Sequence, residues 1–211
     1  MISINPVLTT NAAGTFTVSL DGLMQGMAMD DPAVRYQLTG GQLAPTETLP
    51  MFGGVPIAEF IPPTGNLWDP SLQNSIMRAT VAIPASGISV FNQNHAMINS
   101  PQSNVPQADI GMLVNFYRFG SRARIALAMD PAFNPVIAPP GLPIAGPAVP
   151  PAVSFFFDPV NQWVNGAAGG IPLNGCKIIG YNMGNSMVVA YDPATGFANW
   201  VRNGNAILLE I

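Results

Sequence analysis

Residues 186–211 of the chain read SMVVAYDPATGFANWVRNGNAILLEI, and this stretch decides the predicted fold. Runs rich in Val, Ile and aromatic residues alternate with two turn-forming stretches, 192–196 and 203–204. Such runs favour β-strands, and the Asp-Pro and Asn-Gly pairs between them favour turns. Turns that recur every 8 to 12 residues or so are typical of β-sandwiches and barrels. We therefore predict an all-β fold in which Ile211 pairs inside a sheet.

Similar runs occur upstream of this stretch. The same reasoning predicts strands at 14–20, 111–117, 122–128, 154–157, 162–164 and 177–181. For 122–128 a helix is the alternative, because Ala, Arg and Leu form helices well. We expect a sandwich or barrel-like domain with a C-terminal antiparallel meander, long Pro-rich loops and little helix.

Three further elements are predicted in the middle of the chain. Residues 79–83 and 88–91 flank a Pro-Ala-Ser-Gly turn, which indicates a hairpin. Residues 57–61 lie among prolines, which are confined to sheet edges, so they are predicted to form an edge strand. Asp69 as N-cap and Pro70 at the first helical position predict a short helix that includes Ile76 and Met77.

The segment 131–151 is a break in composition, with eight prolines in 21 residues and no charged side chain. Proline at this density favours an extended, polyproline-like conformation. We interpret the segment as an arm that lies on a neighbouring subunit, with a plain surface loop as the alternative. Its candidate interface residues are Val136, Ile137, Leu142, Ile144 and Val149.

The domain organisation follows from this break. Residues 1–130 form a β-rich N-terminal part with an extended arm, 131–151 the proline-rich arm or loop, and 152–211 the β-meander. At 211 residues the chain is long enough for one compact domain with its own core.

The chain carries little charge: 18 of its 211 residues are Asp, Glu, Lys or Arg, and the net charge is −4. Average domains have about 25% charged residues, whereas this chain has 9%. Seven basic residues are too few for electrostatic binding of nucleic acid. A neutral surface rich in Met and Phe is typical of interfaces, so we expect association with copies of itself or with a larger assembly. The alternative is a monomer covered by Asn, Gln, Ser and Thr.

The N-terminal residues have no signal-peptide pattern, and the prolines of 131–151 exclude a membrane-spanning helix there, so we expect synthesis in the cytoplasm and no membrane partner. With Cys176 as the single cysteine, no intramolecular disulfide forms. We expect Cys176 to be a core residue.

No set of residues predicts catalysis. The chain has one histidine, His95, so a Ser-His-Asp triad or a zinc site lacks partners, and we predict no catalytic residue, cofactor or metal. Most of the eight Asp residues lie in turn sequences. Two alternatives stay open: a carboxylate pair that meets only in space, as in a glycosidase, and a sugar-binding platform formed by Trp68, Trp163 and Trp200.

The neutral chain, rich in Asn, Gly, Pro and Met, resembles the head decoration or cement proteins of tailed bacteriophages, most closely over residues 175–211. The resemblance implies a structural virion protein, made in the host cytoplasm, that self-associates, often as a trimer. It implies binding to the lattice of the major capsid protein and stabilisation of the shell. A glycan-binding module for host recognition, or a tail or vertex protein, are the alternative functions.

The proline-rich segment yields a direct prediction. Deleting residues 136–150 should leave the β-domain folded and abolish assembly, because the candidate contact residues are removed while the predicted strands are kept. Circular dichroism measures the fold and light scattering the assembly. Assembly retained in the deletion variant would refute the role of the arm.

Overall fold

The computed structural model describes residues 7–10, 16–19, 22–29, 32–59, 75–91, 103–133 and 155–211. Over these residues the fold is all-β, as predicted, with one four-residue helix. The elements are β1 (Val7–Thr10), β2 (Phe16–Ser19), α1 (Pro32–Arg35), β3 (Thr39–Leu43), β4 (Pro56–Glu59), β5 (Ser75–Arg78), β6 (Gly87–Val90), β7 (Leu113–Arg118), β8 (Arg124–Ala128), β9 (Phe156–Asp158), β10 (Trp163–Asn165), β11 (Ile171–Pro172), β12 (Lys177–Tyr191) and β13 (Ala198–Glu210).

Five short strands close into a barrel in the order β3-β5-β4-β6-β7. Strand β3 closes it, since it pairs in parallel with β5 and antiparallel with β7. All other neighbours in the barrel are antiparallel. Closure leaves the barrel without a free strand edge.

Successive side chains of the barrel strands enter two different cores, because neighbours along a strand point to opposite faces. Ile57, Ile76 and Phe116 belong to one apolar cluster with Leu43 and Met51. Their neighbours along the strands, Ala58, Met77 and Tyr117, belong to or pack against a second and larger cluster, which also includes Ile88 and Val90 of β6. Both faces of the barrel wall are thus buried, which explains why burial is nearly continuous along β4 and β6.

A three-stranded sheet, in the order β12-β13-β8, and a small sheet, in the order β10-β9-β11, supply further members of the larger cluster. Residues 206–210 of β13 pair antiparallel with 124–128 of β8. Ile125, Leu127, Ile207 and Leu209 are fully buried in this cluster. As predicted, Ile211 is buried and paired: its carbonyl accepts from the Arg122 N–H, and its own N–H donates to Ala123. Separately, β1 and β2 pair antiparallel.

Residues 22–29, here called the bridging segment, run between the barrel, β8 and β12. The Gln25 N–H donates to the Met187 carbonyl at 2.9 Å, and the Gly26 N–H donates to Ala126 at 2.8 Å. The Gly26 carbonyl accepts from the Phe91 N–H, next to the end of β6. One segment therefore connects three parts of the fold through its backbone.

Three predictions for the middle of the chain are wrong. Ile76 and Met77, expected in a helix, lie in strand β5, where their side chains enter different cores. Residues 79–83 form no strand, so the hairpin is absent, and β6 pairs with β4 and β7 instead. The expected edge strand at 57–61 is β4, which lies between β5 and β6 inside the barrel. In each case tertiary pairing outweighs the local signal.

The prediction of a C-terminal meander is wrong in detail. Residues 177–211 form two long strands, β12 and β13, joined by the predicted turn at 192–196, and not four short ones. The Asn203-Gly204 signal produces no chain reversal. Asn203 adopts φ 61° within β13, where the register between Ser186 and Val188 shifts. The turn residues thus build a β-bulge or irregularity in a long ribbon.

The close approach of the bridging segment to the barrel yields a second prediction. Gly26 has φ +75°, and a Cβ there would lie 2.5 Å from the Gly53 backbone. Gly26→Ala should lower the free energy of unfolding by about 2–4 kcal/mol, because backbone strain adds to steric overlap. Gly120 is the matched control, since it has φ +89° but nothing within 4 Å. Gly120→Ala should cost only the strain, about 1–2 kcal/mol. Equal losses in urea unfolding would contradict the close packing.

Candidate functional site

The two long strands β12 and β13, here called the C-terminal ribbon, carry the candidate site. They pair antiparallel from Lys177 with Glu210 to Tyr191 with Ala198. On its other side, β13 pairs with β8 only over 206–210. Because β12 stands at the end of the sheet order, no further strand among the described residues pairs with its outer edge.

The bridging segment covers one part of this outer edge. Met24 forms a parallel bridge with Met187, and the Leu23 N–H donates to the Ser186 hydroxyl at 3.1 Å. The Val189 N–H donates to the side-chain carbonyl of the buried Gln25 at 2.8 Å. Gly22, the first described residue of the segment, also reaches this edge: a Cβ there would sit 1.2 Å from the Asn185 carbonyl oxygen.

Before this point, residues 178–184 form what we call the open edge of β12. None of the residues that the structure describes pairs its backbone with the outer side of the open edge. Every second side chain is exposed and apolar: Ile179 by 38%, Tyr181 by 41% and Met183 by 50%. Lys177 is the single charged residue of the strand. An edge of this kind is a ready template for pairing with another strand.

The interface candidates chosen from the sequence, in contrast, lie outside the described residues. These are Val136, Ile137, Leu142, Ile144 and Val149, and Trp68 and His95 lie outside them as well. Sequence reasoning missed the open edge, because Ile179 and Tyr181 look like ordinary strand residues. The signal available in the sequence was the run 177–191, whose single charged residue, Lys177, stands at its start.

The acidic side chains of the described residues are engaged in structural contacts. Each of the three Glu residues pairs with an Arg: Glu47 with Arg78, Glu59 with Arg118, and Glu210 with Arg124. Hydrogen bonds from Arg118 hold the pKa of Glu59 below its usual value.

The described Asp residues satisfy turns. Asp130, Asp158 and Asp192 each accept an N–H from a residue two positions further on, as their turn sequences predicted. The carboxylate of Asp109 accepts the N–H of Ile110 at 2.8 Å. Turn geometry therefore occupies these groups. No cluster of three His, Cys, Asp or Glu side chains that could hold a metal ion occurs within the described ranges.

The two tryptophans in the described ranges are both partly buried. Trp200 packs beside Phe91, with ring centroids 5.4 Å apart, and belongs to an apolar cluster with Phe52 and Val189. The indole N–H of Trp163 is buried. Trp68, the third member of the predicted sugar-binding platform, lies outside the described residues.

No family model, curated protein or solved structure matches this chain. In the part of the chain that the structure covers, no helix is long and apolar enough to cross a membrane.

Cys176 yields a prediction about reactivity. The residue precedes β12 and packs against the larger core cluster, and burial raises the pKa of its thiol to about 12. Since only the thiolate reacts, iodoacetamide at pH 8 should alkylate the folded protein about a thousandfold more slowly than an exposed thiol. Mass spectrometry measures the rate, with urea-unfolded protein as the control. Equal rates in both states would show that the thiol is accessible and ionised.

Proposed function

We propose that this chain is a structural subunit that self-associates and decorates a viral capsid shell. The observation that carries the proposal is the open edge of β12, with Ile179, Tyr181 and Met183 exposed on a strand that has one charge. Monomeric proteins usually protect such edges with charges, prolines or a covering loop. The low charge of the whole chain supports the same reading, since interface cores are depleted in charged residues.

A repeated lattice suits a surface of this chemistry. Each apolar contact is small, but a decoration subunit makes the same contact many times, and binding through several linked sites strengthens the whole by avidity. The acidic groups described above are held in ion pairs and turns. The feature that still calls for a functional explanation is the exposed apolar surface of β12. Capsid binding is the part of the proposal that rests on the resemblance in composition and on the β-rich C-terminal residues 175–211.

The mass of the purified protein in solution tests self-association. Light scattering after size exclusion should give a species heavier than 22.2 kDa. Because the contacts are apolar, the oligomer should persist when sodium chloride is raised, whereas a charge-driven complex would dissociate. A monomer at all concentrations would contradict self-association. Co-sedimentation with purified, undecorated capsid shells then tests the capsid part, and failure to bind would confine the function to other assemblies.

A further inference from the structure

We infer that one end of the three-stranded sheet is a binding surface for a carboxylate-bearing segment of a partner protein. The surface, here called the basic end, consists of Arg122, Arg124 and Lys177 around Glu210. The inference goes beyond the proposed self-association, because it concerns a different surface and a partner that is recognised by charge.

The strand register brings these four residues to the same end of the sheet. Arg124 of β8 lies directly opposite Glu210 of β13, and Glu210 lies directly opposite Lys177 of β12. Directly opposed residues share one face of a sheet, so the three side chains form a row across it. The Arg122 N–H donates to the Ile211 carbonyl at 2.5 Å, which holds Arg122 beside this row.

The basic end carries positive charge that the described residues do not neutralise. The Arg124 side chain is 51% exposed, and its Nε lies 3.7 Å from Oε2 of Glu210, which is beyond hydrogen-bond distance. Arg122 and Lys177 are both exposed, and neither forms an ion pair in the part of the chain that the structure describes. Three cations and one carboxylate thus give this end a net positive charge, although the whole chain has a net charge of −4.

The backbone of Arg122 supports a role for its side chain outside the fold. Its φ is 61°, in the left-handed region that residues other than Gly, Asn and Asp rarely adopt. Strained residues of this kind are found most often at binding and active sites. Since the exposed guanidinium forms no ion pair with a described residue, the fold itself gives no reason for an arginine here.

The spacing of the charges favours a segment with separate carboxylates. Neighbouring strands lie about 4.8 Å apart, so the Cα atoms of Arg124 and Lys177, two strands apart, are separated by about 10 Å. A polyproline II segment has three residues per turn and places side chains at i and i+3 on one side, about 9 Å apart. Glu210 stands between the two cations and repels a single compact anion at the centre of the row. Carboxylates also match the planar fork of an arginine guanidinium.

Nucleic acid fits the basic end less well than an acidic protein segment. Its binding strengthens with each phosphate that a Lys or Arg side chain neutralises. Three cations with a carboxylate among them offer few such contacts, and the whole chain has only seven basic residues. We therefore take an acidic segment as the partner and nucleic acid as the competing outcome of the test.

A labelled peptide with the repeat Glu-Pro-Pro tests this assignment, because proline favours polyproline II and each Glu falls at every third position. Fluorescence anisotropy in about 20 mM sodium chloride should show binding to the wild-type protein, and about 200 mM salt should weaken it. The peptide with Gln in place of Glu should bind at least about tenfold more weakly. Absence of binding by the Glu peptide, or equal binding of both peptides, would overturn the inference.

Substitutions locate the bound peptide on the protein. Arg122→Gln and Lys177→Gln should each weaken binding by about threefold to tenfold. Arg202→Gln is the matched control, since Arg202 is an exposed cation of β13 about 25 Å along the strand from Glu210. Glu210→Gln should act in the opposite direction and strengthen binding, because it removes the repelling carboxylate. Equal affinities of the Arg122→Gln and Arg202→Gln proteins would refute the site.

Two further measurements separate this inference from the alternatives. Tighter binding of a single-stranded oligonucleotide of equal charge than of the Glu peptide would assign the surface to nucleic acid and overturn the inference. Light scattering should give the same mass for the wild type and the Arg122→Gln protein, because the open edge 178–184 is intact in both. Loss of peptide binding with unchanged mass supports the basic end as a second, separate surface. A monomeric wild type that binds the peptide at Arg122 and Lys177 would contradict the proposed self-association and leave this inference standing.

Discussion

Close approach of backbones at Gly22, Gly26 and Gly53 is the constraint on which the rest of this structure depends. Here the bridging segment lies against the barrel on one side and against β8 and β12 on the others, with no room for a side chain at these positions. Gln25, fully buried between them, extends the link by accepting the N–H of Val189. The segment supplies backbone hydrogen bonds on both sides, to Phe91 beside the barrel and to Ala126 and Met187 of the three-stranded sheet. The same segment also covers β12 from Asn185 to Val189.

The described residues form few ion pairs, and one of them, between Arg78 and Glu47, is largely buried. The Arg78 and Glu47 side chains are only 16% and 11% exposed, and Arg78 also donates to the carbonyls of Leu49 and Pro50. Loss of one partner in such a pair leaves a buried charge unpaired, which lowers the free energy of unfolding by about 3–5 kcal/mol. The Arg118–Glu59 pair is 54% and 36% exposed, and pairs of that kind contribute about 0–1 kcal/mol. Stability therefore comes mainly from the apolar cores and the backbone ladders.

Sequence patterns predicted the fold class and several strands because apolar alternation reflects burial directly. Strands β7 to β10 fall where the patterns placed them, and the turn after Tyr191 forms at Asp192. Local signals failed where tertiary pairing gave the same residues a different structure. Asn203 has the left-handed conformation that a turn would need, yet pairing across the ribbon uses it for a bulge. Ile76 and Met77 fit a helix locally, but a strand lets each enter a separate core. The sequence left a sandwich and a barrel as alternatives, since barrel closure depends on a parallel pairing between β3 and β5, which are distant in sequence.

The open edge of β12 shows why a site of this type is hard to find from sequence. Ile179, Tyr181 and Met183 would suit a buried strand, and nothing local distinguishes a buried run from an exposed one. The difference depends on segments distant in sequence, such as the bridging segment, which comes more than 150 residues earlier in the chain than the part of β12 that it covers. Folding gains little from large apolar side chains that stay 38–50% exposed, and an open apolar edge carries a risk of aggregation. The proposed self-association explains why Ile179, Tyr181 and Met183 stay exposed on a strand with a single charge, because a contact with another subunit would bury them.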